Sequence, residues 1–547
     1  MKTVSVAFSP YIHQDDGEVT PADVRANPRK YLVGYKELTC HMIFDIKLDG
    51  NFSRKARFVA NGSTVDSPKS LTYSSVVSRD SVRIAFLMAS LNGLDISSCD
   101  ISGAYLNAPA GEKCWFKAGT ECGSDKDKVM VITRALYGLK SSAKAWRTFF
   151  SKSLDEMNYK SCIADPDVYM KAECTKDGHE YWSYMLVYVD DCLLIHHDPN
   201  PVMEELKSRY TLKKDSYGRP DRYLGANVCK YQLDDGNEYW CMHPGDYVKM
   251  SCKLAKEWNE KDDRKWTKNR KAAMITKYQP ELDMSPELDD DLASRFQQMI
   301  GILRWAIELG RIDIITEVSH LSSHNASPRA GHLEAAFQIF EYLDAHDNGG
   351  RVVFDSTQVD VDESRFPKVN WNEIYGDVEE EIPPNMPSPR GNSVRISMFC
   401  DAAHAGNIVT RRSHTGILFF INNAPIHWYS KKQATIEAST FGSEFVALRI
   451  GVEMNEGIRY KLRMMGIPID GPTDGYCDND SVVSNASKIE STLKKKHLSI
   501  CYHLVRESCA KRSIRITYEP TESNLADTCT KVLPPPEKKR KLKHIIY

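Results

Sequence analysis

The sequence predicts an α+β protein of several domains, and three observations carry that prediction. The chain has 547 residues, room for three or more structural units at roughly 100–200 residues each. In WSYMLVYVDDCLLIHH (182–197) two apolar runs bracket an Asp-Asp, the pattern of a hairpin with carboxylates at its bend. After a stretch rich in Pro, Gly and acids (346–392), a second run of strand and helix patterns opens with SVRISMFCDAAHAG (393–406).

Composition narrows the classes. The chain is 41% hydrophobic and 27% charged, as globular proteins are. Its 72 Lys+Arg against 74 Asp+Glu give a net charge of −2, so a polynucleotide substrate would need a basic face rather than a basic chain. The 15 cysteines include no C-x-x-C pair, which argues against a zinc ribbon or disulfide framework and for free thiols in a reducing compartment. No apolar run reaches the roughly 18–20 residues that span a bilayer. The N-terminus, MKTVSVAFSPYIHQDDGEVTP, is too polar for a signal peptide. A soluble intracellular protein with no membrane partner is expected.

The elements follow in order. Residues 1–33 form a polar stub. MIFDIKLDG (42–50) and NFSRKARFVA (51–60) read as strands around a D-G turn. SVRIAFLMASLN (81–92) reads as a buried helix stopped by Gly93, and LDISSCDISGAYLN (94–107) as a buried strand carrying one odd aspartate, Asp100. Between 141 and 158, Ala145, Trp146, Phe149, Phe150, Leu154 and Met157 fall at helical spacing. Further helices are expected at 295–310 and 331–343. The second α/β segment reads strand, strand, helix, strand, helix, strand, helix, its long helix near 444–465 and capped by Gly466.

Two sets of acids stand out. An Asp-Asp at a turn is usually only a solvated turn, but Asp190 and Asp191 sit between apolar strands. Burying adjacent carboxylates costs several kcal/mol unless a cation compensates, and magnesium prefers oxygen ligands. With Asp100 they would form a cluster for two metals, suited to activating a hydroxyl and stabilising a leaving pyrophosphate. The second set is Asp401 after ISMFC, Glu444 at the start of EFVALRIG, Asp478 after GYC, and Asp527 in NLADTCTK on a final helix. Each alone is more often a cap or turn residue. Their order across strand, helix, strand and helix is the specific signal.

The strings KARFVANG (55–62), CDISGAYLN (99–107), RALYGLKSSAKAW (134–146), ADPDVY (164–169), LVYVDD (186–191) and YLGANV (223–228) resemble, in order, the reverse transcriptase of copia-type long-terminal-repeat retrotransposons. CDAAHAG, TRRSHTGILFF, PIHWYSKKQ, GSEFVAL, YCDNDS and EPTESNLADTCTK resemble the RNase H of the same Pol polyproteins. The resemblance implies a right-hand polymerase with fingers and ferredoxin-like palm at 34–235 and a thumb-like helical region at 236–345. A tether (346–392), a mixed α/β RNase H-like domain (393–533) and a basic tail (534–547) would follow.

It also implies an RNA-directed DNA polymerase that degrades the RNA of the hybrid it makes. Asp100, Asp190, Asp191 and the Ile101 carbonyl would hold two Mg2+ ions, with Mn2+ as a substitute. Asp401, Glu444, Asp478 and Asp527 would hold two more. Tyr105 would lie under the incoming sugar and exclude a 2′-hydroxyl, and Lys55 and Arg57 would grip the triphosphate. The implied partners are RNA template, DNA primer, RNA/DNA hybrid and dNTPs, with the element's integrase or capsid protein. The implied setting is a cytoplasmic virus-like particle with nuclear entry, for which EKKRKLK (537–543) is a candidate import or nucleic-acid signal.

Some positions depart from the family. Ser141 stands where a nucleotide-holding Gln is usual, Gly442 where an acid is usual, and His404 where Trp is usual. ESNLAD lacks the mobile His of some RNase H enzymes. LKKKHLSICYH (493–503) reads either as a phosphate track or as a solvated helical face. The rival readings are a decayed or domesticated element protein that binds nucleic acid without catalysis, and a structural component of a particle. With no protease D-[ST]-G and no HHCC head, the chain reads as part of a longer polyprotein or a truncated copy.

Overall fold

A computed structural model describes residues 8–10, 26–46, 54–64, 73–214, 216–346, 349–493 and 495–547. The apolar strands around the Asp-Asp build its centre. β1 (Cys40–Ile46) and β2 (Arg54–Ala60) pair as an antiparallel hairpin, while the D-G turn expected between them lies outside the described residues. Helix α1 (Arg79–Leu91) starts at Ser78, whose hydroxyl accepts the Ser81 N–H, and gives way to Gly93 at φ +63°. The central antiparallel sheet runs in the order β3 (Asp95–Asp100), β6 (Asp191–His196), β5 (Glu180–Tyr188), β4 (Val168–Cys174), with Lys160–Ser161 at its edge. Helix α2 (Ser142–Glu156) lies on one face of this sheet and α1 on the other. Leu186, Leu193 and Ile195 pack with the α1 core, and Met185, Val187 and Leu194 with the α2 core. Burial on both faces explains why these strands read as continuous apolar runs instead of alternating ones.

The first half continues with β7 (Ala226–Gln232) and β8 (Glu238–His243), then helices α3 (Asp290–Glu308), α4 (Ile315–Ser322) and α5 (Ala330–Ala345). A short strand β9 (Val352–Val353) joins β8, so the boundary expected at 235/236 falls inside a hairpin. The second half is a five-stranded sheet ordered β12 (Ala424–Lys432), β11 (His414–Ile421), β10 (Ile396–Ala403), β13 (Thr473–Cys477), β14 (Ile514–Tyr518). The first three strands are antiparallel and the last two parallel. Helices α6 (Thr440–Met464), α7 (Asp480–Ser487), α8 (Ser499–Ala510) and α9 (Pro535–Leu542) complete it.

Several expectations are corrected. The strand read over 94–107 ends at Asp100, because Gly103 turns left-handed (φ +57°) and a short helix takes Ala104–Asn107. Three strands, not two, precede α6, and two helices separate β13 from β14. The 346–392 segment is docked wherever it is described: Glu380 pairs with Arg459 and Arg463, and Trp182 donates to Ser388 O at 2.9 Å. The basic tail forms α9, with Lys538 and Lys541 buried, so EKKRKLK is not a free solvated cluster. Cys229 and Cys241, expected to be free thiols, face each other across β7 and β8 and are bridged, whereas the other thirteen cysteines are free. No helix among the described residues is long and apolar enough to cross a membrane.

Candidate active sites

Tyr188 and Asp191 face each other in register, so β5 and β6 are joined by a loop of only Val189 and Asp190. Val189 adopts φ +61°, which a β-branched residue resists. Trp146 on α2 holds that loop by donating its indole N–H to Val189 O at 2.7 Å. On its other side β6 pairs with β3, placing Asp191 opposite Asp100, and Ile101 N–H donates to Asp190 O at 2.9 Å. The three aspartates predicted from sequence thus converge at one sheet end, beside Ile101. Lys213, which sequence reasoning missed, hydrogen-bonds to Asp100 and lies 3.5 Å from Asp190 Oδ2. Burial pushes the Asp191 carboxyl up to about 6, with Asp100 and Asp190 adding and Lys213 opposing.

Tyr105 stands beside this cluster with its ring 4.8 Å from that of Tyr137. The β1–β2 hairpin reaches the same place: Ala60 N–H donates to Tyr137 O at 2.8 Å. A Cβ on Gly138 would lie 1.9 Å from Ala60 O, and its φ is +92°, so only glycine allows this docking. Burial and Asp190 raise the Tyr137 hydroxyl, while Arg57 and Lys213 pull it down; Arg57, the tyrosine pair and the aspartates therefore share one electrostatic site. Lys55 lies on the same strand face as Arg57, and Arg57 is 3.7 Å from Asp45 Oδ2.

The structure re-aims Ser141. It is buried, its amide donates to Glu112 Oε1 at 3.0 Å and its hydroxyl bonds the other Glu112 oxygen. Tyr137, four residues earlier in the same motif, is the side chain that faces Tyr105. The acids of ADPDVY are structural. Asp165 accepts from Ser78 N–H at 3.0 Å and the Ser81 hydroxyl at 2.6 Å, and Asp167 accepts from Arg147 Nε at 2.7 Å.

The second cluster forms where β10 and β13 run in parallel with Cys400 beside Cys477, so Asp478 emerges next to Asp401. A Cβ on Gly416, opposite Asp401, would meet Ala526 O at 2.8 Å. That close approach lays the turn carrying Asp527 directly on β11. Asp527 lies in a short 3-10 helix (Leu525–Cys529), not on the final helix. Glu444 lies one turn inside α6, which begins earlier than expected, capped by Ser439. Carboxylate oxygens of Asp401, Asp478 and Asp527 lie within 4.8 Å of one another, as do ligand atoms of Glu444, Cys477 and Asp478. Cys477 was not read from the sequence.

Lys531 Nζ lies 2.5 Å from Asp527 Oδ1 and 3.4 Å from Asp401 Oδ2. Burial raises Asp401 to about 6, with Lys531 opposing and Asp527 and Asp478 adding. Burial, with Asp401 adding, raises Glu444 well above the carboxylate range, and its Oε2 is buried with no hydrogen-bond partner. Crowded, desolvated carboxylates with an orphaned oxygen are the chemistry of a divalent-cation site.

The departures also resolve. A Cβ on Gly442 would lie 2.7 Å from Glu437 Oε2, so the buried Glu437 carboxylate sits where residue 442 has no side chain. His497 Nε2 lies 3.1 Å from that Oε2, and Lys495 bonds the Ser439 hydroxyl. The basic 493–503 stretch is therefore pinned in part to the start of α6. His404 Nδ1 lies 3.2 Å from Ser443 Oγ, beside Glu444.

One chain thus carries two separate carboxylate clusters, one at the end of the central sheet and one on the five-stranded sheet. Residues 24–238 match the family "Reverse transcriptase (RNA-dependent DNA polymerase)". The chain is 24% identical over 518 residues to the retrovirus-related Pol polyprotein from transposon TNT 1-94 of Nicotiana tabacum, covering 92% of this chain and 35% of that protein. It is 24% identical over 515 residues to the Pol polyprotein from transposon RE1 of Arabidopsis thaliana (90% and 30%). The transposon TyH3 Gag-Pol polyprotein of Saccharomyces cerevisiae is 22% identical over 526 residues (92% and 27%). The chain spans about a third of the length of these two plant relatives. Among solved structures, it is similar to a foamy viral protease-reverse transcriptase bound to double-stranded DNA (TM-score 0.46, 11% identity, 94% of this chain and 72% of that one). It is also similar to LC11-RNase H1 in complex with RNA/DNA hybrid (TM-score 0.21, 17% identity, 25% and 94%). The chain resembles the reverse transcriptase and RNase H region of copia-type retrotransposon Pol polyproteins over about nine-tenths of its length.

Proposed function

We propose that this chain is an RNA-directed DNA polymerase with RNase H activity, serving a copia-type retrotransposon. In this reading the β1–β2 hairpin belongs to the fingers, the central sheet with α1 and α2 is the palm, and α3–α5 form the thumb. The observation that carries the reading is the convergence of Asp100, Asp190 and Asp191 at the end of adjacent strands. Those residues would hold two Mg2+ ions, with Mn2+ as a substitute, as would Asp401, Glu444, Asp478 and Asp527. Bound there, such ions lower the pKa of an attacking hydroxyl or water and neutralise charge on the phosphates. The chain's own residues do the rest. The Tyr105 ring, backed by Tyr137 at 4.8 Å, would lie under the incoming sugar and exclude a 2′-hydroxyl, and Arg57 and Lys55 would offer cations to the triphosphate. Lys213 neutralises Asp100 and Asp190, and Lys531 does the same for Asp527 and Asp401.

The substrates are then RNA template, DNA primer, dNTPs and the RNA/DNA hybrid. The element's integrase and capsid protein are the expected partners, in a cytoplasmic particle. Primer extension on poly(rA)/oligo(dT) with Mg2+ tests the reading. Extension with deoxynucleotides is expected; a folded, Mg2+-binding preparation that extends no primer would overturn it in favour of nucleic-acid binding without catalysis.

A further inference from the structure

The nuclease acids are not held only by their own sheet. The loop from Glu519 to Asp527 carries two of the contacts that shape the cluster: Asp527 itself, and Thr521, whose hydroxyl donates to Asp478 Oδ2 at 2.9 Å. That loop has little regular structure to stiffen it, ending only in the 3-10 turn. A buried lysine from α9 does so instead. Lys541 Nζ donates to Thr521 O at 2.6 Å, Glu522 O at 3.1 Å and Asn524 O at 2.9 Å, and pairs with Asp527 Oδ2 at 2.9 Å. Its side chain is 1% exposed. A lysine so thoroughly desolvated is stable only with its acceptors in place, so loop and helix fix each other.

The two oxygens of Asp527 are thereby distinguished. Oδ2 is committed to the buried Lys541. Oδ1 meets Lys531, which is 40% exposed and also reaches Asp401. One cation is built in; the other stands at the solvent side, where a metal could replace it. The same helix is anchored to α4, where Lys538 pairs with the buried Glu317 at 2.5 Å, and the 3-10 turn is anchored there as well, by Thr316 donating to Thr528 O at 2.9 Å, one residue beyond Asp527.

We propose that Lys541 is a positioning residue of the nuclease centre: it locks Asp527 Oδ2 so that Oδ1 faces the metal, and it makes α9 and α4 part of that centre. The proposal rests on the metal-binding reading of the four acids given above. Removing the grip leaves Asp527 held by Lys531 alone and the Thr521 contact on Asp478 unsupported. Metal affinity then falls, in the manner of other residues that orient a metal ligand, by about tenfold or more.

The test uses the full chain with Lys541→Met, Lys541→Gln and, as a control on the same helix, the exposed Lys539→Ala. Mn2+ binding is read by electron paramagnetic resonance, without turnover, alongside the Mg2+ dependence of hybrid cleavage and of primer extension. Asp190→Asn/Asp191→Asn is the background for the Mn2+ measurement, so that only the nuclease centre reports. In Lys541→Met, the Mn2+ dissociation constant and the half-saturating Mg2+ for cleavage should both rise about tenfold, while the Mg2+ dependence of primer extension and all values for Lys539→Ala stay as in the parent. Unchanged Mn2+ binding in a folded Lys541→Met protein would overturn the proposal. Should that variant fail to fold, Lys541→Gln decides: it keeps a donor for the loop carbonyls but removes the charge, and parental Mn2+ binding there refutes the role. Loss of cleavage in the parent with intact Mn2+ binding would instead sink the enzymatic reading and leave this one standing.

Discussion

Each acid cluster contains a cation of its own: Lys213 touches Asp100 and Asp190, and Lys531 touches Asp401 and Asp527. Such a charge compensates crowded carboxylates when no metal is bound. Burial still holds Asp191 and Asp401 near 6, above the usual 3.8. A carboxyl raised in the folded state favours folding below its unfolded pKa and loses that contribution as pH rises through about 6. Bound metal restores it above that point, where protons no longer compete. The Mg2+-induced rise in Tm should therefore be larger at about pH 8 than at about pH 5 and shrink in Asp401→Asn, as calorimetry would read. Equal rises at both pH values would contradict the site. For Tyr105→Val, incorporation of ribonucleotides relative to deoxynucleotides should rise by about 10–200-fold, the range for steric discrimination in a pocket. Single-nucleotide kinetics measures it, and an unchanged ratio would remove Tyr105 from the sugar pocket. Ser141→Ala, in contrast, should leave that ratio alone, because its hydroxyl serves Glu112.

At the scale of elements, the hairpin around Asp190 was legible because its strands are buried on both faces and its carboxylates interrupt an apolar run. Asp100 ends β3, Asp191 begins β6 and Asp478 follows β13 directly, so these three mark the edges of patterned elements. What escaped was irregular or paired by charge. The five-residue turn bearing Asp527 has no period to read. The start of α6 is Thr-Phe-Gly-Ser, too mixed to extend the apolar pattern backward. The segment after α5 is held by ion pairs such as Glu380 with Arg459, which leave no hydrophobic trace. Lys213 and Lys541 come from positions whose spacing says nothing of their targets. Two element-level predictions follow from the contacts at the polymerase-like site. Trp146→Phe removes the donor to the strained Val189 and should cost about 1–3 kcal/mol, with reduced primer extension. Gly138→Ala drives a methyl into Ala60 O and should displace the β1–β2 hairpin, raising the KM for dNTP. Parental values in either variant would show that these contacts do not shape the site.

At the scale of the molecule, the two halves share one core, running from Val77 through the helices α3–α5 to Ile546. Arg83 on α1 is one polar link between them, beside Lys538 with Glu317 and Thr316 with Thr528. It donates to Ile426 O at 3.0 Å and Glu308 O at 2.7 Å, and its guanidinium lies 3.6 Å over the Trp428 ring. Replacing Arg83 by Met should destabilise the chain by about 3–5 kcal/mol and lower the single Tm; an unshifted Tm in calorimetry would mean that these contacts contribute nothing to the joint. The central claim is that one chain carries two metal-dependent centres built from separate acids. The most direct test assays primer extension and RNA/DNA hybrid cleavage side by side in Asp190→Asn/Asp191→Asn and in Asp478→Asn. The first variant should lose extension and keep cleavage, and the second should keep extension and lose cleavage. Full extension by the double variant, or full cleavage by Asp478→Asn, would contradict the account.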